Sequence, residues 1–438
     1  MRVVFCTTVK GRANHIKKTL PRNLADNQNK DTRFVLLDYN SQDDLISYLK
    51  EFHQKDIDSG RLIVYSERTA PIFKMSHSKN LAHRLGIIEG ADVLVNLDAD
   101  NFTGPDFDEY VLNEFKRGDI FLWSGIIKGL GKRFRGTSGR IACTKNAFLK
   151  TGGYDEKYET WSPDDRDFTS RLQRIGYAPV ETQKDYLASV PHSDAERFRE
   201  YPHVKDTILD YELEEFTRID KSDATIVNFG NVGCGVVYRN FGQDSMKIGP
   251  IPTRIFGIGM HKTATSSLNS ALKILGFEST HWESPRHAKT IYEEVISGRS
   301  KTLERYYTAS DLPITILYRE LDEMYPGSKF ILTIRDQDTW LTSVENHWNP
   351  KKNKWRETWD QDCFTNRIHQ LVYGRKTFDR KVFLDKYLSH NVDVIKYFEN
   401  RPDDLLVMGS PSWGLARFLN QPIPAQEYPR DLVTNANR

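Results

Sequence analysis

Residues that suit phosphate binding lie close together in the stretch RIFGIGMHKTATSSLNSALKILGF, residues 254–277. A strand leads into a turn in which Gly257 and Gly259 allow tight bending, and Lys262 adds a positive charge. The helix that follows offers unpaired backbone N–H groups and four hydroxyl side chains at its start: Thr263, Thr265, Ser266 and Ser267. His261 stands where a Walker A loop has the glycine before its lysine. The stretch therefore predicts a phosphate site that differs from an ATP-binding loop.

A second motif that suits phosphate lies in KFILTIRDQDTWLTSV, residues 329–344. A strand is predicted to end at Arg335, and Ser343 follows eight positions later, one to two turns into a helix. A guanidinium and a hydroxyl at this spacing converge on one phosphate. Together with the Lys262 loop, the motif predicts binding of a nucleotide that is phosphorylated at two separate places.

Paired carboxylates form a third candidate site. The strand DVLVNLDADN ends in Asp98 and Asp100, separated by one residue. Two carboxylates at a strand end can share a divalent metal and, through it, a diphosphate that they would otherwise repel. A second acidic group follows in GGYDEKYETWSPDDRDF: Asp164, Asp165 and Asp167. Taken alone, an acid pair of this kind is more often a solvated turn or a helix cap.

Alternating strands and helices are expected to position the carboxylates. The apolar runs RVVFCTT, RFVLLDY, RLIVY and DVLVNLDAD are separated by helical patterns such as residues 14–24 and 43–52. This alternation predicts βαβ units and a mostly parallel sheet. Ligands of such sheets bind at the carboxyl ends of the strands, which is where Asp98 and Asp100 lie.

The chain is predicted to contain two domains. Its 438 residues exceed one ordinary hydrophobic core. The segment RNFGQDSMKIGPIPTR has little periodicity and gathers glycine and proline near its end, which is typical of a linker. A new strand, turn and helix series opens at Ile255 and includes a long helical region at residues 382–398. We therefore predict a first domain at residues 1–245, a linker at 246–253 and a second domain at 254–438.

The composition argues against several classes of protein. The 62 basic and 60 acidic residues nearly cancel, which gives no support to a dedicated nucleic-acid or membrane-surface protein. Four scattered cysteines lack CxxC spacing and so indicate neither a zinc site nor a disulfide framework. No segment approaches the roughly 20 apolar residues of a membrane span. A cytoplasmic protein is expected, and peripheral membrane association is left open.

At the acidic motifs, the chain over about residues 1–240 resembles glycosyltransferases of the GT-A fold, especially the inverting family-two enzymes and their galactosyltransferase-like relatives. The segments that carry the resemblance are NLDADNFTG and GGYDEKYETWSPDDRDF. It implies an α/β domain with a Rossmann-like mixed sheet, a nucleotide-sugar donor that is expected to be UDP-linked, a Mn²⁺ or Mg²⁺ cofactor and a glycan or glycoconjugate acceptor.

The resemblance assigns the metal and donor to particular residues. Asp100 becomes the direct metal ligand, and Asp98 lies nearer the ribose or a metal-bound water. His192, after the acidic cluster, becomes a candidate third metal ligand, although a lone histidine is more often structural. The metal would neutralise the departing diphosphate.

The acceptor side is assigned in the same way. Asp165 becomes the general base that takes the proton from the acceptor hydroxyl, and Trp161 and Asp164 help to hold the acceptor. Ser162 replaces the usual glycine of this pattern, and Asp164 the usual glutamate. The acceptor geometry is therefore less secure than the base.

Other positions match places that hold the donor in this family. Thr8 and Arg12 follow the first strand, and Asp38 closes the second, all at positions that hold the nucleoside. Lys79 and Asn80, on the predicted helix HSKNLAHRL, would face the diphosphate or the sugar. Each of these residues is about as consistent with a helix surface or a cap.

The second half, about residues 254–430, resembles the sulfotransferases that use 3'-phosphoadenosine 5'-phosphosulfate (PAPS). The matching segments are FGIGMHKTATSSLNSALKILGF, YRELDEMYPGSKFILTIRDQDTWLTSV and HNVDVIKYFENRPDDLLVM. The resemblance implies a P-loop-like α/β domain with a central parallel sheet. It assigns the 5'-phosphosulfate to the Lys262 loop with its four hydroxyls, and the 3'-phosphate to Arg335 and Ser343.

Sulfuryl transfer also needs two further groups. One must stabilise the charge that develops on the leaving oxygen, and the other must act as a base for the acceptor hydroxyl. Lys262 suits the first role. For the second we favour Glu283, which lies where some carbohydrate sulfotransferases carry their glutamate. His281 and Asp311 are the rival candidates.

The sequence therefore predicts a bifunctional enzyme in polysaccharide or glycoconjugate biosynthesis, in which a metal-dependent inverting glycosyltransferase is fused to a PAPS-dependent sulfotransferase. Two other interpretations stay open. One is a glycan-binding or scaffolding protein in which only one domain is catalytically active. The other is a nucleotide kinase built on the Lys262 loop.

Overall fold

A computed structural model of the chain describes residues 1–124, 136–159, 162–191, 218–349, 364–421 and 423–431. The chain divides into two compact units, Met1–Pro250 and Ile251–Arg438. None of the described helices is both long and apolar enough to cross a membrane.

The first unit is an α/β structure. Its described strands are β1 (Val3–Val9), β2 (Arg33–Tyr39), β3 (Leu62–Glu67), β4 (Val93–Asn96), β5 (Asn101–Phe102), β6 (Ile120–Trp123), β7 (Ile141–Thr144), β8 (Ala178–Glu181), β9 (Ala188–Ser189), β10 (Gly235–Arg239) and β11 (Ser245–Ile248). Its described helices are α1 (Ala13–Asp26), α2 (Leu45–Phe52), α3 (Gln54–Asp58), α4 (Met75–Ile88), α5 (Phe107–Phe115), α6 (Lys145–Thr151) and α7 (Asp164–Arg174), with short 3-10 turns at Lys184–Tyr186 and Asn228–Gly230.

Nine of these strands form one mixed sheet in the order β11-β10-β3-β2-β1-β4-β7-β6-β8, and β5 pairs with β9. Strands β3, β2, β1 and β4 run parallel, whereas β7 and β10 are antiparallel to their neighbours. The apolar runs form these central strands because side chains on both faces are covered, and β1 and β2 are buried along almost their whole length. Ile16, Leu20 and Leu24 recur every four residues and turn one face of α1 into this core.

The carboxyl ends of three neighbouring strands meet at one edge of the sheet. In the register of the parallel pairs, Val9 of β1 lies opposite Asp38 of β2, and Cys6 of β1 lies opposite Asn96 of β4. Asp98 follows β4 after one intervening residue. The strand order thus brings Thr8, Asp38 and Asp98 to the edge at which sheets of this kind bind ligands.

The predicted linker begins too early. Residues 246–248 belong to β11, which pairs antiparallel with β10. The hairpin is hard to read from sequence because its strands are half exposed at the edge of the sheet, where little apolar periodicity is needed.

The second unit is built around a parallel sheet. Its described strands are β12 (Ile255–Gly257), β13 (Ser279–Thr280), β14 (Thr308–Ser310), β15 (Lys329–Thr333) and β16 (Leu405–Met408). Its described helices are α8 (Thr265–Ile274), α9 (Pro285–Ile296), α10 (Lys301–Glu304), α11 (Tyr318–Met324), α12 (Gln337–Trp348), α13 (Phe364–Tyr373), α14 (Arg380–Tyr397) and α15 (Gly414–Phe418), with 3-10 turns at Ile314–Ile316 and Pro402–Asp404.

The five strands pair in parallel in the order β13-β14-β12-β15-β16. The predicted combination of a mixed sheet followed by a parallel sheet is confirmed. Helix α8 follows β12 and packs on the sheet with Leu268, Ala271 and Leu272, which are fully buried. These are residues of the apolar face that the sequence predicts.

Strand β15 ends at Thr333, two residues before the predicted end at Arg335. The physical reason is a side chain from a distant helix. The hydroxyl of Tyr387 accepts a hydrogen bond from the Arg335 N–H at 2.8 Å and donates one to the Arg335 carbonyl at 2.7 Å. The N–H and the carbonyl of Arg335 thereby form their hydrogen bonds with Tyr387 and not with a neighbouring strand, so the strand ends before this residue.

Candidate active sites

A buried ammonium lies between the two acids at the start of α7. The Nζ of Lys79 is 2.7 Å from Oδ2 of Asp164 and 2.7 Å from Oδ1 of Asp165. The side chain of Asp164 is 2% exposed, whereas that of Asp165 is 24% exposed. Neighbouring residues of a helix point about 100° apart, so only one of the two acids faces solvent. Asp165 is therefore the acid that an acceptor could reach.

The charges in this cluster depend on one another. Burial opposes the charge of Lys79, but Asp164 and Asp165 outweigh it and raise the pKa of the Lys79 ammonium well above its ordinary value. Burial likewise raises the pKa of the Asp164 carboxyl, and Lys79 opposes that shift. The ammonium thus stays protonated and compensates two carboxylates.

Gly139 leaves room for two further carboxylate oxygens. A Cβ atom added at this glycine would lie 2.8 Å from Oδ2 of Asp98 and 3.3 Å from Oδ2 of Asp165. The amide of Asn96 donates to Oδ1 of Asp98 at 3.1 Å and to the carbonyl of Gly139 at 2.8 Å. The acid after β4 and the acid of α7 therefore flank the same glycine, although 67 residues separate them in sequence.

Asp98 is buried at a place where the charged form of its carboxyl group is unfavourable. Burial raises the pKa of its carboxyl to about 6, and the charges of Asp100 and Asp165 act in the same direction, while Lys79 opposes them. Asp100 is also nearly buried, and its Oδ1 accepts a hydrogen bond from the Asn101 amide at 2.9 Å. Such a group of crowded carboxylates favours a further positive charge.

Arg140 is a member of the cluster that the sequence analysis missed. Its guanidinium is 1% exposed and donates to the Asn101 side chain and the Phe102 carbonyl. Burial lowers its pKa to about 10, against the effect of the nearby charges of Asp98 and Asp100. Its only signal in sequence is a charged residue directly before an apolar strand, which is too common to single out.

The described residues contain no group of three or more His, Cys, Asp or Glu side chains placed to hold a metal ion. The oxygen donors of Asp98 and Asp100 nevertheless have the chemistry that Mg²⁺ or Mn²⁺ requires, and Mg²⁺ sites often combine one or two carboxylates with phosphate oxygens of a substrate. A cation here fits best as one shared with the donor. His192, the predicted third ligand, and Trp161, the predicted acceptor contact, lie outside the described residues.

Two predicted donor residues have other partners in the structure. The Asn80 amide donates to the Tyr154 carbonyl and to Glu156, while its oxygen accepts from the Tyr154 N–H, and the residue is fully buried. These bonds hold the turn before α7, and the expected contact of Asn80 with the diphosphate or the sugar stays a prediction. Lys79 reaches the cluster but faces the acids there.

Thr8, Arg12 and Asp38 lie at the predicted edge of the sheet. Thr8 and Arg12 are half-buried, and Asp38 is 5% exposed and accepts a hydrogen bond from the Ser41 N–H at 2.8 Å. Burial raises the pKa of the Asp38 carboxyl, and its hydrogen bonds with Ser41 oppose the shift. Their position is compatible with the expected nucleoside contact.

In the second unit, the turn between β12 and α8 has unusual backbone geometry. Lys262 and Ala264 adopt the left-handed conformation, with φ of 67° and 72°. A Cβ at Gly259 would lie 1.9 Å from Oγ1 of Thr333, so the turn passes too close to β15 for any side chain. Strain of this kind at non-glycine residues is characteristic of functional loops.

Thr263 shapes this turn. Its hydroxyl donates to the Met260 carbonyl at 2.5 Å and lies 2.6 Å from the hydroxyl of Thr333. The expected contact of Thr263 with phosphate stays a prediction, and its hydroxyl already has two protein partners. The residue joins the turn to the end of β15.

The hydroxyls at the start of α8 lie in different surroundings. Thr265 is buried, and its Oγ1 is 3.1 Å from Nε2 of His281. Ser266 is exposed. The hydroxyl of Ser267 accepts a hydrogen bond from the backbone N–H of Asp431 at 3.0 Å, so a segment near the end of the chain closes over the first turn of this helix. The first N–H groups of α8 have no partner within the helix.

Arg335 lies beside the turn that carries Lys262. The Arg335 guanidinium lies 3.4 Å from the Lys262 carbonyl oxygen. Burial lowers the pKa of the Lys262 ammonium; Asp311 opposes this shift and Arg335 adds to it. Two cationic side chains whose charges act on each other favour an anion near them. Ser343 lies in the second turn of α12 and is half-buried.

The acid that faces the turn is Asp311. Its Oδ2 lies 3.2 Å from Nε2 of His281, which in turn contacts Thr265. Asp311 has φ of 72°, a third left-handed residue around the same turn. The structure thus brings together an acid, a histidine and the lysine turn.

Glu283, the favoured base, points elsewhere. Its Oε1 accepts hydrogen bonds from Thr280 and Tyr306, its Oε2 lies 3.7 Å from His287, and its side chain is 49% exposed. The sequence could not separate Glu283 from Asp311, because the distinction depends on how β14 lies beside β12.

His261, which replaces the Walker glycine, is buried among aromatic rings. Its ring centroid is 5.4 Å from that of Trp348, and the Tyr373 hydroxyl is 3.2 Å from its Nδ1. Its carbonyl accepts a hydrogen bond from Nε1 of Trp340 at 3.0 Å. The side chain of His261 thus contacts helices α12 and α13 and its carbonyl contacts α12, and these contacts fix the residue directly before Lys262.

Comparison with known families decides the class of the second unit. Residues 254–436 match the family model of the sulfotransferase domain. The chain carries a sulfotransferase domain. The Lys262 turn and Arg335 both lie inside the matched range of this domain.

A second family model matches the first unit over a shorter range. Residues 127–204 match the model described as the N-terminal domain of galactosyltransferase. This range includes Gly139, Asp164 and Asp165 and extends into residues that the structure does not describe. The chain thus combines a glycosyltransferase-like domain with the sulfotransferase domain, as the sequence predicts.

Individual proteins give weaker similarities. The chain is 26% identical over 217 residues to Ava biosynthesis cluster protein M of Aspergillus versicolor, which covers 42% of this chain and 82% of that protein. A mannosyltransferase from Pyrobaculum calidifontis, solved with GDP-Man and Mn²⁺, is 15% identical with a TM-score of 0.38 over 50% of this chain and 64% of its own. TarS of S. aureus is 13% identical with a TM-score of 0.36, over 50% of this chain and 41% of its own. The chain thus spans less than two thirds of each of these two solved proteins.

Proposed function

We propose that the protein is a bifunctional transferase that adds a sugar from a nucleotide sugar, expected to be UDP-linked, and a sulfuryl group from PAPS to a glycan or glycoconjugate. Residues 1–245 would perform the first reaction and residues 254–438 the second. The observation that carries the proposal is the approach of Arg335 to the Lys262 turn inside the sulfotransferase domain. Two cations on separate loops suit a donor with phosphates at two places.

In sulfuryl transfer, the acceptor oxygen forms a bond to sulfur while the bond from sulfur to the bridging phosphate oxygen breaks. Adenosine 3',5'-bisphosphate leaves with the bonding electrons. Lys262 is placed to stabilise the charge that develops on the bridging oxygen, and its lowered pKa makes it a better proton donor at that point. Arg335 would bind the 3'-phosphate.

The acceptor proton needs a base near the same turn. We assign this role to the pair of His281 and Asp311, because both lie at the Lys262 turn while Glu283 is directed towards Thr280 and Tyr306. Asp311 would orient the imidazole and stabilise its protonated form.

In glycosyl transfer, Asp165 would accept the proton of the acceptor hydroxyl as that oxygen attacks the anomeric carbon. Its partial exposure supports this role, and the bond from Lys79 fixes its orientation. Attack opposite the leaving diphosphate would invert the configuration. Asp98 and Asp100 would hold a divalent cation together with the donor, and this cation would stabilise the charge of the leaving diphosphate.

A nucleotide kinase is a weaker alternative. In a P-loop kinase the hydroxyl after the lysine binds Mg²⁺, but the hydroxyl of Thr263 is engaged by Met260 and Thr333. A binding protein with one inactive domain is distinguished by turnover, because it would bind a donor without consuming it.

Mass spectrometry of the full chain with a panel of nucleotide sugars, PAPS and Mn²⁺ tests both reactions at once. We expect hydrolysis or transfer of one nucleotide sugar, which Asp100→Ala abolishes, and release of adenosine 3',5'-bisphosphate from PAPS, which Lys262→Ala abolishes. Each variant is the control for the other, because it should leave the other reaction intact. Binding without turnover of a donor would contradict the proposal for that domain.

A further inference from the structure

Tyr387 of α14 holds the backbone of the arginine that is proposed to bind the 3'-phosphate. Its hydroxyl accepts from the Arg335 N–H at 2.8 Å and donates to the Arg335 carbonyl at 2.7 Å. The tyrosine is 2% exposed, whereas Arg335 is exposed and its guanidinium has, among the residues that the structure describes, one long hydrogen bond of 3.4 Å with the Lys262 carbonyl. The position of Arg335 therefore depends mainly on its backbone and hence on Tyr387.

Trp340 of α12 holds the other half of the donor site. Its indole N–H donates to the carbonyl of His261, the residue directly before Lys262, at 3.0 Å, and its side chain is fully buried. This bond acts on the backbone of the turn that is proposed to bind the 5'-phosphosulfate.

The two aromatic side chains are stacked on each other. The ring centroids of Trp340 and Tyr387 are 4.2 Å apart, and the planes differ by 14°. A continuous series of direct contacts therefore runs from His261 through Trp340 and Tyr387 to Arg335. Rigid buried rings are well suited to keep two loops at a fixed separation.

We propose that the stacked pair of Trp340 and Tyr387 sets the distance between the Lys262 turn and Arg335, and thereby selects nucleotides with phosphates on both the 3' and the 5' side over nucleotides with one phosphate. The inference rests on the proposed function of the sulfotransferase domain. Both aromatic side chains are buried and would act on the donor only through His261 and Arg335, so both are positioning residues.

The physical basis is pre-organisation. Bonds between a guanidinium and a phosphate are strong only at short distances and favourable angles. If the backbone at residue 335 moves freely, binding of the second phosphate also costs the conformational entropy that this backbone loses when it becomes fixed. A ligand with only the 5'-phosphate does not use Arg335 in this way and is insensitive to its position.

Calorimetric titration of the full chain with adenosine 3',5'-bisphosphate and with adenosine 5'-monophosphate tests this role. Tyr387→Phe keeps the stacked ring and removes only the hydroxyl. We expect it to weaken binding of the bisphosphate by about tenfold, since the contact of the Arg335 guanidinium with the 3'-phosphate is worth about this much. Binding of the monophosphate, which lacks that phosphate, should weaken by less than about twofold.

Tyr397→Phe is the matched control. Tyr397 lies on the same helix, and its hydroxyl donates to Asp322 at 2.8 Å. It should leave the ratio of the two dissociation constants unchanged. Thermal unfolding of both variants verifies that they fold alike.

Trp340→Phe should give a different result from Tyr387→Phe, because it removes the hydrogen bond to the backbone of the Lys262 turn. We expect it to weaken both nucleotides. If Tyr387→Phe keeps the wild-type preference for the bisphosphate, the positioning role is overturned, but the assignment of the donor is not. A wild-type chain without any preference for the bisphosphate would overturn the donor assignment as well.

Discussion

The ammonium of Lys79 lies 2.7 Å from a carboxylate oxygen of Asp165. The acid expected to act as the glycosyl-transfer base is therefore tied to a cation that is itself buried and shared with Asp164. The stability of this part of the first unit and its proposed chemistry depend on the same side chain.

Lys79→Met should strongly destabilise the first unit. It leaves the carboxylate of Asp164 buried without its partner, and loss of one member of a buried ion pair costs about 3–5 kcal/mol. Urea unfolding of the full chain, followed by circular dichroism, measures the effect. Lys74→Met is the control, since its pair with Glu159 is exposed and should contribute less than about 1 kcal/mol.

A second substitution tests whether the buried charge of Asp164 causes this loss of stability. In Lys79→Met combined with Asp164→Asn, the uncompensated charge is gone, so much of the lost stability should return. A double variant that is no more stable than Lys79→Met would contradict the assignment of the loss to buried charge.

Gly139→Ala should impair sugar transfer. The added methyl group would lie 2.8 Å from Asp98 and 3.3 Å from Asp165, so one or both carboxylates must move. We expect donor hydrolysis or transfer to fall about tenfold or more, with a stability loss of about 1–3 kcal/mol. Gly249→Ala, which meets no atom within 4 Å, should retain full activity. Equal activities of the two variants would show that Gly139 does not shape the site.

His83 should make the first unit less stable in mild acid. Burial lowers the pKa of this histidine from 6.5 to about 4, and its ring stacks on Phe148. As the pH falls from about 6.5 to 4, the unfolded chain takes up a proton that the folded chain does not bind. Stability therefore decreases across this window, by up to about 3 kcal/mol for the full shift.

Urea unfolding at several pH values checks this expectation. His83→Asn removes the titrating group and should lower stability at neutral pH but flatten its dependence between pH 6.5 and 4. Raised carboxyl pKa values nearby give a slope of the opposite sign, so the difference between the two chains is the quantity to compare. Parallel pH curves for both chains would refute the role of His83.

Asp311→Asn should reduce sulfuryl transfer far more than Glu283→Gln. Loss of a carboxylate that orients the base and stabilises its protonated form typically lowers the rate about 100-fold or more. Glu283 instead faces Thr280 and Tyr306, so its loss should have a smaller effect. Steady-state release of adenosine 3',5'-bisphosphate from PAPS gives the rates, and calorimetry verifies that both variants still bind the bisphosphate. The reverse order of activities would restore Glu283 as the base.

The main elements of the fold were predictable because burial on both faces of a sheet leaves continuous apolar runs. Strands β1 to β4 and helix α8 coincide with such patterns, and the carboxyl ends of the strands located the candidate acids. The hairpin of β10 and β11 carried no such pattern, because edge strands are half exposed.

The side-chain partners could not be read from the sequence. Thr263 bonds to Thr333, Asn80 to Tyr154 and Arg335 to Tyr387, and in each case the partner lies more than 50 residues away. Motif spacing identifies which residue types approach a site, but it does not tell which of their polar atoms are already engaged by the protein.

The bond between Ser267 and the backbone of Asp431 joins residues 164 positions apart. During synthesis the lysine turn leaves the ribosome well before the residue that closes over its helix. Contacts of such high sequence separation form slowly. The first turn of α8 therefore reaches its final surroundings only after Asp431 has been translated, so a chain cut short before this residue would leave the start of that helix uncovered.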